Sequence, residues 1–116
     1  MTGKAKFIAG KVIKYMKKII KGKMYNTETA EYIEHRSSGC YRSDYRYFEE
    51  DLYRKKTKEF FLHGKGGPAS RYAQRTGSGY MGGEKLIPLS DEEAKVWAEE
   101  NLDADRYMEL FGEVKE

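Results

Sequence analysis

Glu49-Glu50-Asp51 sets three carboxylates in a row within an aromatic-rich stretch. On an extended strand successive residues alternate sides, so Glu49 and Asp51 share a face and Glu50 takes the other. Two carboxylates on one face can hold a divalent cation or divide acid–base work, which is nuclease chemistry. A solvated strand face balanced by Arg46, Arg54 and Lys56 is the plainer account. His35 and His63 are the only histidines. Neither has HExxH spacing or a second metal ligand at useful distance, so both read as ordinary surface or strand residues. Cys40 is the only cysteine. It excludes an intrachain disulfide and a cysteine-cluster metal site, and it fits a reducing cytoplasm. Nothing in the spacing pairs it with either histidine as a nucleophile. The expectation is a protein with no catalytic residue, no cofactor and no metal.

Binding chemistry is better represented. Tyr41-Arg42, Tyr45-Arg46-Tyr47, Tyr53-Arg54 and Arg71-Tyr72 set cations beside stacking faces. RNA-binding surfaces use that pairing, and Tyr and Arg also anchor protein interfaces. Gly64-Lys65-Gly66-Gly67-Pro68 has glycines that permit close backbone approach and a proline suited to a first helical turn. A glycine turn feeding a helix can hold an anion on free N–H groups, with Lys65, Arg71 and Arg75 nearby. A tight strand-to-helix connection explains it as well.

Charge is unevenly placed. Residues 1–23 carry eight lysines and no acid; residues 84–116 carry 4 basic and 11 acidic residues; the whole chain of 116 residues is at +3. A basic arm suits an anionic partner, and an acidic end suits a basic surface. The candidate contacts are therefore Lys11, Lys14, Lys18, Arg42, Arg46, Arg54, Lys56, Lys65, Arg71 and Arg75, with Tyr45 and Tyr72. A second, acidic surface comprises Asp91, Glu92, Glu99, Glu100 and Asp103.

The elements that must position these residues start with a central hairpin. Aromatic-rich residues 45–54 and 59–64, joined by a charged turn, predict two antiparallel strands. Helical spacing of Ile8, Val12, Tyr15, Met16, Ile19 and Ile20 against lysines predicts a basic amphipathic helix over about 4–16. Residues 18–25 predict a strand, and an Asn26 or Thr27 cap predicts a helix over 27–36. Residues 68–74 predict a short helix, 76–83 a glycine-rich loop, and 84–89 an edge strand marked by Pro88. Ser90 and Glu93 form a capping box for a helix that turns Ala94, Trp97 and Ala98 inward, and Asp103 caps another. The predicted class is α+β: a small antiparallel sheet of about four strands with three to five helices. Residues 1–16 form a basic N-terminal extension and 17–116 a single domain. No run of about 18 apolar residues exists, so no membrane span is expected.

Three blocks, KIIKGKMYNTETAEYI, EEDLYRKKTKEFFLHGKGGPASRYA and GGEKLIPLSDEEAKVWAEENLDADRY, resemble a family of short proteins carried by phages and mobile elements of Gram-positive bacteria. That family includes anti-CRISPR proteins acting on type II-A Cas9. The likeness covers about residues 17–112, and the lysine-rich stretch before Met16 departs from the family's usual short start. The resemblance implies a compact α+β module and transfers no catalytic residue. It implies an inhibitor in the bacterial cytoplasm that binds Cas9 or its guide-RNA assembly. The alternative is a small nucleic-acid-binding accessory protein that meets RNA or DNA directly.

Overall fold

The apolar positions that a helical wheel groups near the N-terminus lie in strands. The computed structural model describes the backbone of residues 2–8 and 11–116 and side chains from Lys14 onward. Strand β1 (Thr2–Ile8) pairs antiparallel with β2 (Lys11–Ile20), which pairs in turn with β3 (Lys23–Asn26). The predicted helix over 4–16 is absent. Its apolar residues at 8, 12, 16 and 20 are four apart, and a separation of four keeps residues on one side under either a period of 3.6 or a period of 2. Partner strands decide between the two. The predicted strand over 18–25 is folded in half. Ile20 pairs with Lys23 across a two-residue turn in which Lys21 has φ 50° and Gly22 φ 81°. Both central residues of this mirror-image hairpin turn must be left-handed, and Gly22 adopts that geometry without strain.

The predicted helix over 27–36 is also absent. Its capping chemistry exists: Asn26 Oδ1 accepts the Glu28 N–H at 2.9 Å, and the Asn26 carbonyl accepts from Ala30 at 3.1 Å. Only one turn forms. Thr27 is held to β2 instead, its N–H on the Met16 carbonyl and its Oγ1 accepting from the Met16 N–H, both at 2.9 Å. Tyr32 and Ile33 then favour extension, and residues 31–37 form β4 (Glu31–Ser37).

The main sheet has the order β4–β5–β6–β9, all antiparallel, where β5 is Phe48–Arg54, β6 Phe60–Gly66 and β9 Gly83–Leu89. These last three match the predicted strands within a few residues. In place of the predicted helix at 68–74 there are two successive turns, Ser70 N–H to Gly67 O and Ala73 N–H to Ser70 O. A small hairpin of β7 (Gln74–Arg75) and β8 (Tyr80–Met81) follows. Helices α1 (Asp91–Asn101) and α2 (Ala104–Phe111) start at Ser90 and Asp103, and α1 carries the expected capping box.

The fold is thus α+β, with two helices and nine strands in three sheets among the described residues. The expectation of three to five helices is overturned, because three segments read as helical find strand partners or close as turns. Phe60, Phe61 and Leu62 are all buried, so β6 is covered on both sides. Leu52, Phe60 and Leu62 meet Ala94 and Trp97 of α1 on one face. Phe61 and Leu86 meet Tyr25 of β3 on the other, with Met16 and Ile20 of β2 against them. The sheet therefore separates the helices from the lysine-rich hairpin. Burying each large side chain contributes roughly 1.5–3 kcal/mol before entropy is counted.

Candidate functional site

Strand β5 sorts its three acids as alternation requires. Glu50 points to the helix side and is 1% exposed. Its register partner on β6 is Gly64. The ring of Tyr72 fills the space above that glycine, where an added Cβ would lie 2.0 Å from the ring. Tyr72 reaches across to donate its hydroxyl to Glu50 Oε2 at 2.5 Å. Trp97 Nε1 donates to Oε1 at 3.0 Å and Arg36 Nε to the same oxygen at 2.8 Å, while Arg71 Nη1 stands 3.5 Å from Oε2. Burial by itself would raise the Glu50 pKa. The hydroxyl, the indole and the guanidinium outweigh burial and hold it below the ordinary glutamate value. Burial and then the Glu50 bond push the Tyr72 phenol far upward. Glu50 is an ionised, fully satisfied buried carboxylate that ties β4, β5, the 67–73 turns and α1 together.

Glu49 and Asp51 lie on the opposite face. His35 Nδ1 is 2.7 Å from Asp51 Oδ1, and His63 Nε2 is 2.7 Å from Glu84 Oε2. Lys65 stands in register between Glu49 and Glu84. Tyr47 donates to Glu49 at 2.6 Å. Among the described residues no group of three or more His, Cys, Asp or Glu is arranged to hold a metal ion. Glu49 and Asp51 each have a partner other than one another, so the two do not form a carboxylate pair. Cys40 is half-buried in the loop before β5.

The glycine turn does not present an anion cradle. The Gly67 N–H donates to the Tyr47 carbonyl at 2.8 Å and the Ala69 N–H to the Tyr45 carbonyl at 2.8 Å, and no helix begins there. The glycines let the 67–73 turns and Tyr72 press against the strands.

The exposed cations gather at opposite ends of the main sheet. One end carries the 38–47 loop, the 67–73 turns and the β7–β8 hairpin. Here Tyr41, Tyr45 and Tyr80 are 88%, 71% and 62% exposed. Arg42, Arg46, Lys65, Arg71 and Arg75 are exposed at the same end, and an open cavity of about 330 Å³ lies between Arg42, Tyr47, Lys65 and Gly67. Arg46 holds Asp44 in two side-chain bonds, at 3.1 and 3.0 Å, keeping its carboxyl at about 2. Tyr72, a candidate contact in the sequence, is fully buried and belongs to the packing. Tyr41 and Tyr80, absent from the candidate contacts, are exposed beside the candidate Tyr45; Gly77, Gly79 and Gly82 around Tyr80 are the sequence signal for its exposure.

The other end, one strand length or about 20 Å away, holds the β5–β6 turn with Lys56. Arg54, next to that turn, is half-buried and bonded to Glu31 at 3.0 Å. Beside it lies the β2–β3 hairpin, with Lys23 on Glu59 at 2.6 Å and Lys55 over the Tyr25 ring at 4.1 Å. Lys14 and Lys18 are exposed on β2; Lys11 is in β2 as well, its side chain outside those described. The acidic candidates Asp91, Glu92, Glu99, Glu100 and Asp103 are all exposed on and beside α1. Among the described residues, only Glu100 of these has a cation within 4 Å, Arg36 at 3.7 Å.

No family model matches the chain, and no curated protein or solved structure matches it either. Among the described residues no helix is long and apolar enough to cross a membrane.

Proposed function

We propose that the protein is a non-catalytic inhibitor of anti-CRISPR type, carried by a phage or mobile element, that binds Cas9 or its guide-RNA assembly in the bacterial cytoplasm. One observation carries the binding half of this reading: Tyr41, Tyr45 and Tyr80 stand exposed among Arg42, Arg46, Lys65 and Arg75 at one end of the sheet. Rings of this kind stack on unpaired bases while guanidinium groups take phosphates, and the same pair of residue types anchors protein interfaces. The choice of Cas9 rests on the sequence resemblance. The acidic surface of α1 adds a patch complementary to a basic nucleic-acid channel.

The test is Cas9 DNA cleavage with the protein added before or after guide loading. Inhibition only before loading assigns the action to guide assembly; inhibition at both stages assigns it to the loaded complex. A Tyr41→Ala/Tyr45→Ala/Tyr80→Ala variant should weaken inhibition on the order of 100-fold or more, since each stacked base contributes about 1–3 kcal/mol. Full inhibition by that variant removes this end as the contact. No inhibition by the wild-type protein in either order removes the Cas9 reading and leaves the nucleic-acid accessory role.

A further inference from the structure

We propose that the β2–β3 hairpin is a two-stranded ribbon that docks in the major groove of duplex DNA. The Tyr/Arg end takes no part in this contact, and the inference stands without Cas9. Lys14, Lys17, Lys18 and Lys21 are exposed on the hairpin, and none of them has an ion-pair partner among the described residues. Lys56 and Lys58 on the neighbouring β5–β6 turn are likewise exposed and unpaired. Glu59, the acid of that corner, is already held by Lys23 at 2.6 Å and Lys55 at 3.2 Å. The acidic helices lie behind the main sheet, on the face opposite the hairpin. A duplex approaching the outward face therefore meets Lys17 and Lys21 in front, with Lys14 and Lys18 on the opposite side of β2, while the acids of the two helices stand away from it.

The apolar pattern adds a second feature. Ile20 and Tyr25 turn in toward Phe61, so the intervening alternation turns Ile19 and Met24 outward. These two are cross-strand partners, 59% and 46% exposed, between Lys17 and Lys21. Nothing within the described chain covers them. An apolar pair flanked by lysines suits a groove floor bounded by two phosphate rows, where thymine methyl groups offer apolar contact. A ribbon of two strands spaced by about 4.8 Å fits the roughly 12 Å major groove of B-form DNA, whereas the A-form major groove of duplex RNA is too deep and narrow to admit it.

The experiment titrates the full chain against a labelled 20-base-pair duplex, without Cas9, from 50 to 200 mM salt. Neutralising four to six phosphates gives a slope of log K against log salt of about −4 to −5. Lys17→Gln/Lys18→Gln/Lys21→Gln should flatten that slope by about 2 to 3. Ile19→Ser/Met24→Ser should weaken binding with the slope unchanged. Replacing thymine by uracil in the duplex should weaken wild-type binding about fourfold per contacted methyl and leave the serine variant indifferent. All five positions are exposed, and unchanged melting curves for both variants establish that they remain folded. An unaltered slope in the lysine variant overturns the proposal. So does equal affinity for single strands, duplex RNA or anionic vesicles, or insensitivity of the wild-type protein to uracil.

Discussion

The two faces of the main sheet solve the problem of charge in opposite ways. On the helix side a single carboxylate, Glu50, is taken out of water and given a donor from each of three other segments. On the hairpin side Glu49, Asp51, His35, His63, Lys65 and Glu84 keep contact with solvent, with His35 on Asp51 and His63 on Glu84 as pairs. A buried ion that loses a partner leaves the rest uncompensated, while an exposed pair returns about 0–1 kcal/mol. The helix side thus depends on one buried carboxylate, whereas on the hairpin side the open charges are free to vary around the packing of Tyr25, Phe61 and Leu86.

The comparison breaks most visibly at Glu50. Glu50→Ala strands Arg36, the Trp97 indole and the Tyr72 hydroxyl, and should cost about 3–5 kcal/mol in urea unfolding. Gly64→Ala forces Tyr72 off its seat and should cost about 1–3 kcal/mol; a Tyr72→Ala substitution that costs less in the Gly64→Ala background than in the wild-type protein identifies the clash as the cause. Acid sharpens the contrast. The Glu50 pKa is lower in the folded chain than in the unfolded one, where it is near 4.5. Its stabilisation is therefore complete above that value and is lost as pH falls through the folded one. Melting curves of the wild-type protein should drop more steeply below pH 4.5 than those of Glu50→Gln. The smallest effect belongs to His35→Gln on the open face, within about 1 kcal/mol at neutral pH.

Much of the helix side was legible in the sequence. Ser90 and Glu93 announce α1, Trp97 reads as core, and the 48–54 and 60–66 strands follow from their aromatic runs. The Glu50 cluster was half legible. Strand alternation sets Glu50 apart from Glu49 and Asp51, and Phe48 and Leu52 on the same side mark an apolar surface around it. Its partners are 14, 22 and 47 residues away, beyond any local pattern. The hairpin side misled. Met16 and Ile20 fit helix and strand alike, and Asn26 supplies a cap that closes a single turn. The physical information that settles both segments is the neighbouring strand, which a window of a dozen residues does not contain.

The long reach of Glu50 also sets an order in time. The β2–β3 and β5–β6 hairpins close over two and five residues and can form within microseconds. Glu50 cannot be satisfied until β4, the turns that carry Tyr72 and Trp97 have all packed against β5. Its bonds therefore belong to the last stage of folding, and the step that breaks them guards the way out. Weakening them, as in Tyr72→Phe, should hasten unfolding and leave the refolding rate almost unchanged.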